Sequence, residues 1–258
     1  MAKHIRVWNQ SVYERYLREG RGRGDGPGYT PWIRVQDFAS RGVVSRVKGR
    51  TTGRVHHLMS NNELAYFYLL DWSEHVLDIR EQYPLLDLEY AMRVAAEAGI
   101  KYPADRASGY PYVLTCDFMI TTAQGLIART VKMTSELGNA RVLEKLEIER
   151  RYWAAHGVDW KIVTEKEISY QRARNIEWLY AAQGFSGEAF CGAKALMLEL
   201  YNYRTISITE MARTVEAVYS LEQGIGLLLF KRLVLDGEIH VDMDRPFHVT
   251  MREALVAA

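Results

Sequence analysis

Two cysteines, Cys116 and Cys191, are too few for a disulfide framework, and their spacing offers no CxxC pair for zinc. No apolar run approaches a membrane span; "IGLLLF" is among the longest. The opening "MAKHIRVWNQ" lacks the apolar stretch of a secretory signal. Neither internal repeats nor low-complexity tracts occur. No G-x-S-x-G elbow is present, and neither cysteine has a histidine nearby in sequence, so covalent catalysis has no support. The glycine-rich "GRGRGDGPG" at 20–28 does not satisfy G-x-G-x-x-G and follows no apolar strand, which argues against a dinucleotide site. These absences lead to the expectation of a reduced, cytoplasmic protein with no membrane association.

What is present is a globular composition, 48% hydrophobic and 25% charged, in a chain of 258 residues long enough for one large or two ordinary domains. The net charge of +1 conceals a polarity. Residues 1–60 carry 12 Lys+Arg against 4 Asp+Glu; residues 61–169 carry 12 against 17, and residues 170–258 carry 9 against 11. A basic segment at one end suits an anionic polymer, because phosphate contacts dominate such binding. Arg21, Arg23, Arg46, Lys48, Arg50 and Arg54 are the candidates for contact with double-stranded DNA; a solvated basic tail is the alternative.

The pattern divides the chain into a basic segment (1–60), a catalytic core (61–168), a connector (169–184) and a small C-terminal domain (185–258). "SVYERYLREG" reads as a short amphipathic helix, and "TPWIRVQDF" and "VVSRVKGRTTGRVHHL" as short strands. "SNNELAYFYLLDW" reads as a helix with Ser60 at its N-cap and Glu63 three residues on, a capping box. "HVLDIREQYPLL", "YVLTCDFMI" and "LIARTVKM" are strands. "NARVLEKLEIERRYWAAHG" is a helix with Leu143, Leu146, Tyr152 and Trp153 apolar, and "DWKIVT" closes a strand–helix–strand crossover. The core order is α-β-β-β-α-β. Three helical patterns and a hairpin expected over "EIHVDMDRPFHV" describe a winged helix at the C-terminal end.

One hairpin carries chemistry. Alternation puts Thr130 and Lys132 on one face, and the preceding strand brings Asp117 beside them. A carboxylate followed by a turn and an x-x-Lys strand is the outline of a metal-dependent nuclease, D…(D/E)-x-K, with Thr130 where the second acid stands. Asp117 would hold Mg²⁺, and Lys132 would orient or help deprotonate its water and offset charge on a phosphodiester. Glu63 is the supplementary acid, with helix capping as its competing role. Glu149, one acid among several on a charged helix, is a secondary candidate that could reach the site; Arg80 reads as a structural ion-pair partner of either Asp78 or Glu81, and Glu147–Arg151 as a solvated i,i+4 pair. Adjacent His56 and His57 face opposite sides of a strand and cannot share a metal.

The strings "REGRGRGDGPGYTPWIRVQDF", "GRVHHLMSNNELAYFYLLDW", "VLDIREQYPLL", "CDF" and "LEKLEIERRYW" with "NIEWLY" resemble the TnsA family, endonuclease subunits of heteromeric bacterial transposases. The resemblance runs in order from about residue 18 to 180. It implies a restriction-endonuclease-like N-terminal domain and a small C-terminal domain. It also implies cleavage of transposon 5′ ends alongside a DDE transposase (TnsB-like) and an AAA+ ATPase (TnsC-like). The family's acids fall on Glu63 and Asp117 and its lysine on Lys132; Mg²⁺, replaceable by Mn²⁺, is the expected cofactor, with the Val131 carbonyl as a further ligand. TnsA proteins carry a neutral Gln where Thr130 stands, so Thr130 is expected to reach metal through water. Two other readings remain beside this one: a stand-alone restriction or repair nuclease of the same fold, and a catalytically weakened DNA-binding or assembly module.

Overall fold

Two units divide the chain in the computed structural model, Met1–Ile168 and Ser169–Ala258, and residues 7–37, 43–203 and 206–246 are described. In the first unit, Asn9 starts α1 (Gln10–Arg18) by accepting the Val12 N–H at 3.0 Å. Tyr16 on its inner face packs with Trp8 and Trp32 in a small aromatic cluster. The segment expected as a strand over residues 30–38 is instead a single 3₁₀ turn at Val35–Asp37, because Asp37 caps it by accepting the Arg34 N–H at 2.9 Å. Phe38 lies outside the described residues.

Strands β1 (Ser45–Lys48) and β2 (Val55–Leu58) form an antiparallel ribbon. Its turn is clamped by Asp71, whose carboxylate accepts the N–H groups of Arg50 at 2.7 Å and Thr51 at 2.9 Å. Asp71 belongs to α2 (Asn61–Trp72), a helix buried on several sides, with Ala65, Phe67, Tyr68 and Leu70 all in the core. The expected capping box at its start is modified. Ser60 accepts the Glu63 N–H at 3.1 Å, but the Glu63 carboxylate takes the N–H of Met59 rather than that of Ser60.

The main sheet has the order β3-β4-β5-β6, built from β3 (Val76–Pro84), β4 (Thr115–Thr122), β5 (Gly125–Val131) and β6 (Asp159–Val163). The first three strands run antiparallel and β5–β6 is parallel, with α4 (Ala140–Ala155) as the crossover. Helix α3 (Leu88–Glu97) is inserted between β3 and β4. Tyr152 and Trp153 of α4 pack on Leu85, Ala91, Cys116, Met119 and Ala128. Truncating Trp153 to Ala would cost about 3–5 kcal/mol. Leu143, expected on that apolar face, is 45% exposed; the buried stripe begins at Leu146. The glycine-rich run passes against the end of β3: Gly22 has φ +73°, and a Cβ there would lie 2.3 Å from Pro84 Cγ.

The second unit is helical in its described residues: α5 (Tyr170–Tyr180), α6 (Cys191–Asn202), α7 (Ile208–Tyr219) and α8 (Ile225–Leu235). Ser207 and Glu210 make a reciprocal capping box on α7. Gly226 permits the close crossing of α7 and α8, since a Cβ there would meet the Ala212 carbonyl at 2.4 Å. The hairpin expected over residues 238–249 is not formed by 238–246, which hold no strand. Instead the Asn175 amide pins that stretch by donating to the Met243 carbonyl at 2.8 Å and the Arg245 carbonyl at 2.7 Å; residues 247–249 lie outside the described residues. No described helix is long and apolar enough to cross a membrane. Cys116 is buried and Cys191 exposed, and both are free thiols.

Candidate active site

Pairing between β4 and β5 stops at Phe118↔Arg129. The next residue back, Asp117, replaces the ladder: its Oδ2 accepts the Val131 N–H at 2.7 Å. Cys116 and Met119 both join the core under α3 and α4, so strict alternation along β4 breaks at Asp117. Lys132 leans back over the same point, its Nζ 2.9 Å from the Val131 carbonyl and 3.5 Å from Asp117 Oδ2. The structure therefore brings Asp117, the Val131 carbonyl and Lys132 together. A cleft of about 240 Å³ opens beside them, lined by Ser60, Asn61 and Lys132 among others.

Glu63 reaches this point from the first turn of α2. Its Oε2 accepts the Met59 N–H at 2.9 Å and the Gln82 side-chain amide at 3.2 Å, and its Oε1 accepts the Ser60 hydroxyl at 3.0 Å. Burial, and then the nearby charge of Asp117, push its carboxyl up to about 7.

Thr130 is buried, and its hydroxyl is committed elsewhere. It donates to Glu149 Oε2 at 2.6 Å and accepts the Trp160 indole N–H at 3.1 Å. Glu149, from α4, is thus a fourth acidic or polar partner in the site, on the side left without an acid by Thr130. Burial pushes its carboxyl up to about 8; Asp117 adds to the rise, while Thr130, Lys132 and Trp160 oppose it. Burial would lower the Lys132 ammonium, but Asp117, Glu149, Glu63 and Glu136 raise it above the ordinary lysine value.

Three carboxyl groups against one ammonium leave the site short of positive charge. Burial, with the charge of Asp117 adding to it, drives two of the three toward the neutral form. The donors are all hard oxygens, which suits a divalent cation of the magnesium or manganese kind. Among the described residues no three His, Cys, Asp or Glu side chains converge tightly enough to cage a metal by themselves. A backbone carbonyl and water would have to complete the shell, as small hard cations accept.

The basic segment sorts into two groups. Arg23, Arg46, Lys48 and Arg50 are exposed. Arg21 is not free for phosphate: it pairs with Glu19 and Asp37, donates to the Trp32 carbonyl at 3.1 Å and lies 3.6 Å over the Tyr16 ring. Arg54 pairs with the fully buried Glu81, donates to the Ile79 carbonyl and lies 5.0 Å over the Tyr29 ring. Both serve the fold. His56 completes that core, its Nδ1 2.8 Å from Glu81 and its Nε2 2.7 Å from the Thr52 hydroxyl. Arg80 and Asp78 pair at 3.3 Å, and Glu147 pairs with both Arg150 and Arg151.

Comparison with known proteins shows the family of the chain. The family model described as TnsA-like endonuclease N terminal matches residues 73–165, and that described as TnsA endonuclease C terminal matches residues 167–243. The transposon Tn7 transposition protein TnsA of Escherichia coli is 38% identical over 252 residues, covering 96% of this chain and 91% of that protein. The carboxylate-and-lysine centre on the β4–β5 hairpin thus lies in a chain that belongs to the TnsA family of endonucleases.

Proposed function

We propose that the chain is a Mg²⁺-dependent DNA endonuclease that cuts the 5′ ends of a transposon during cut-and-paste transposition, with Mn²⁺ as substitute. The observation that carries this reading is the junction of Asp117, the Val131 carbonyl and Lys132 at the end of the β4–β5 ladder, with Glu63 beside it. In this reading the α2-β3-β4-β5-α4-β6 order is a restriction-endonuclease-like core. Helices α6–α8 supply the three-helix part of a winged helix whose net negative segment favours protein over DNA contacts. The partners are double-stranded transposon-end DNA, a DDE transposase and an AAA+ ATPase. The exposed Arg23, Arg46, Lys48 and Arg50 are assigned to phosphate contact.

Glu63, Asp117 and the Val131 carbonyl would hold the cation. When bound, it supplies Lewis-acid polarisation of the scissile phosphodiester and a water acidic enough to attack at neutral pH. Lys132 is held charged by the carboxylates around it. It orients the attacking water and offsets charge building on the phosphate oxygens. Thr130 holds Glu149 in place through its hydroxyl. Glu149, buried and close to the charge of Asp117, is protonated more easily than an ordinary glutamate.

Strand-specific nicking of transposon-end duplex, with Mg²⁺ or Mn²⁺ and with or without the two partner proteins, tests the proposal. Cleavage at the 5′ ends that needs the partners supports it. Equal cleavage by the isolated chain would make it a stand-alone nuclease. Absence of cleavage in every condition, with Asp117→Ala transposing as well as the unaltered protein, would overturn an enzymatic role.

A further inference from the structure

Gln82 departs from what a strand asks of both its backbone and its side chain. Its φ of +49° lies in the left-handed region, which residues carrying a Cβ avoid. Its neighbours Glu81 and Tyr83 pair with Phe118 and Cys116, so Gln82 sits across β4 from Asp117, where β4 and β5 part. The residue is 4% exposed, and both ends of its amide are engaged. Nε2 donates to Glu63 Oε2 at 3.2 Å, and Oε1 accepts the Thr115 hydroxyl at 3.4 Å. The Gln82 carbonyl accepts the Trp32 N–H at 3.4 Å, which fixes the unusual peptide from outside the sheet. Backbone strain of this kind persists only where the surroundings over-determine it, and it gathers at functional sites.

We infer that Gln82 is a positioning residue of the cutting centre: the left-handed turn in β3 aims its amide at Glu63, and the amide fixes the orientation of that carboxylate toward Asp117. The inference rests on the metal-dependent reading above. Chemistry favours an amide at this position. A lysine would compete with the cation as counter-charge, and a glutamate would add a further carboxylate to a site that already repels itself. A neutral donor orients without altering the charge. An ionised carboxylate offers about four acceptor positions. Met59, Ser60 and Gln82 use three of those on Glu63, which leaves one lone-pair direction for a cation.

The test uses the full chain with Gln82→Met, equal in length but without a donor, and Gln82→Gly, which lacks the amide and accepts the observed φ without strain. Mn²⁺ binding in the absence of DNA is followed by the electron paramagnetic resonance of the free ion, and nicking gives kcat and KM separately. Both variants are expected to weaken Mn²⁺ binding about tenfold and to lower kcat by a similar factor, as for other residues that orient metal ligands. KM for DNA should stay unchanged. Should Gln82→Met fail to fold, Gln82→Gly carries the test alone. Folded variants with unaltered Mn²⁺ affinity overturn the inference, whatever their activity. An unaltered chain that binds no Mn²⁺ overturns the metal-dependent reading and the inference with it.

Discussion

Asp117 accepts the backbone N–H of Val131 at 2.7 Å, in the place where the β4–β5 ladder would otherwise continue. One carboxylate therefore ends the pairing and, in the proposed reading, supplies the shared metal-binding acid. The two roles separate by substitution. Asp117→Asn keeps an oxygen to accept the Val131 N–H but loses the charge. It should melt near the unaltered protein while cleavage falls by about 10²-fold or more. Asp117→Ala should lose cleavage and, in addition, about 1–3 kcal/mol of stability, because a buried N–H is left unpaired. Thermal melts alongside nicking rates check both outcomes.

Lys132 is held charged against burial by four carboxylates. Lys132→Met should reduce cleavage by about 10²–10³-fold with duplex affinity nearly unchanged, since one half-buried ammonium contributes little to phosphate binding overall. Lys132→Arg should not restore the rate, because a planar guanidinium cannot take the place of a compact ammonium between Asp117 and the Val131 carbonyl. Single-turnover nicking and a binding titration separate rate from affinity.

Thr130 acts through Glu149. Thr130→Val keeps the shape but removes the hydroxyl that donates at 2.6 Å, and should cost about 1–3 kcal/mol. Thr130→Glu, which restores the acid usual in this class of nuclease, should destabilise the metal-free protein further. It would set a second buried carboxyl against one already pushed up to about 8. Unfolding in urea at neutral pH, with and without Mg²⁺, reads the difference. Unchanged Mg²⁺ affinity in Thr130→Glu would show that this position is not itself a ligand.

Glu81 gives the pH dependence. Burial alone would raise its carboxyl; hydrogen bonds from Arg54 and His56, with their charges, bring it down to about 2. A carboxyl depressed on folding adds stability that is fully present above its unfolded value near 4.5 and is lost as pH falls through about 2. That shift is worth about 3 kcal/mol. Glu81→Gln should flatten the melting temperature between about pH 4.5 and 2 while lowering it at neutral pH.

The two groups of arginines predict opposite phenotypes. Arg46→Ala and Lys48→Ala, exposed on β1, should leave the melting temperature alone and each reduce the salt slope of DNA binding by about 1. Arg54→Ala strips the buried Glu81 of its guanidinium partner, leaving it to His56 and the His57 N–H, and should cost about 3–5 kcal/mol. Arg21→Ala should likewise act on stability before binding.

Much of the catalytic unit can be read from periodicity. Asp117 and Lys132 meet because a short turn folds neighbouring strands together, even though alternation along β4 breaks at Asp117, and α2 and α4 announce themselves by caps and stops. What the sequence could not rank was burial set by distant partners. Arg21 and Arg54 look like their exposed neighbours, and only Asp37 and Glu81, sixteen and twenty-seven positions on, show otherwise. Glu149 looked like one more acid on a charged helix. Its importance comes from where α4 crosses the sheet, which Tyr152 and Trp153 decide. The left-handed Gln82 carries no local signal, because Gln is not a residue that favours φ > 0.

Glu81 and Gln82 are consecutive residues of β3. The first bolts on the ribbon that bears Arg46 and Lys48, through Arg54, His56 and the His57 N–H. The second touches Glu63. No loop or hinge separates the ribbon's anchor from the residue that touches Glu63; a single peptide bond does. In the proposed reading, a duplex seated on the ribbon would be held at a fixed distance from Glu63.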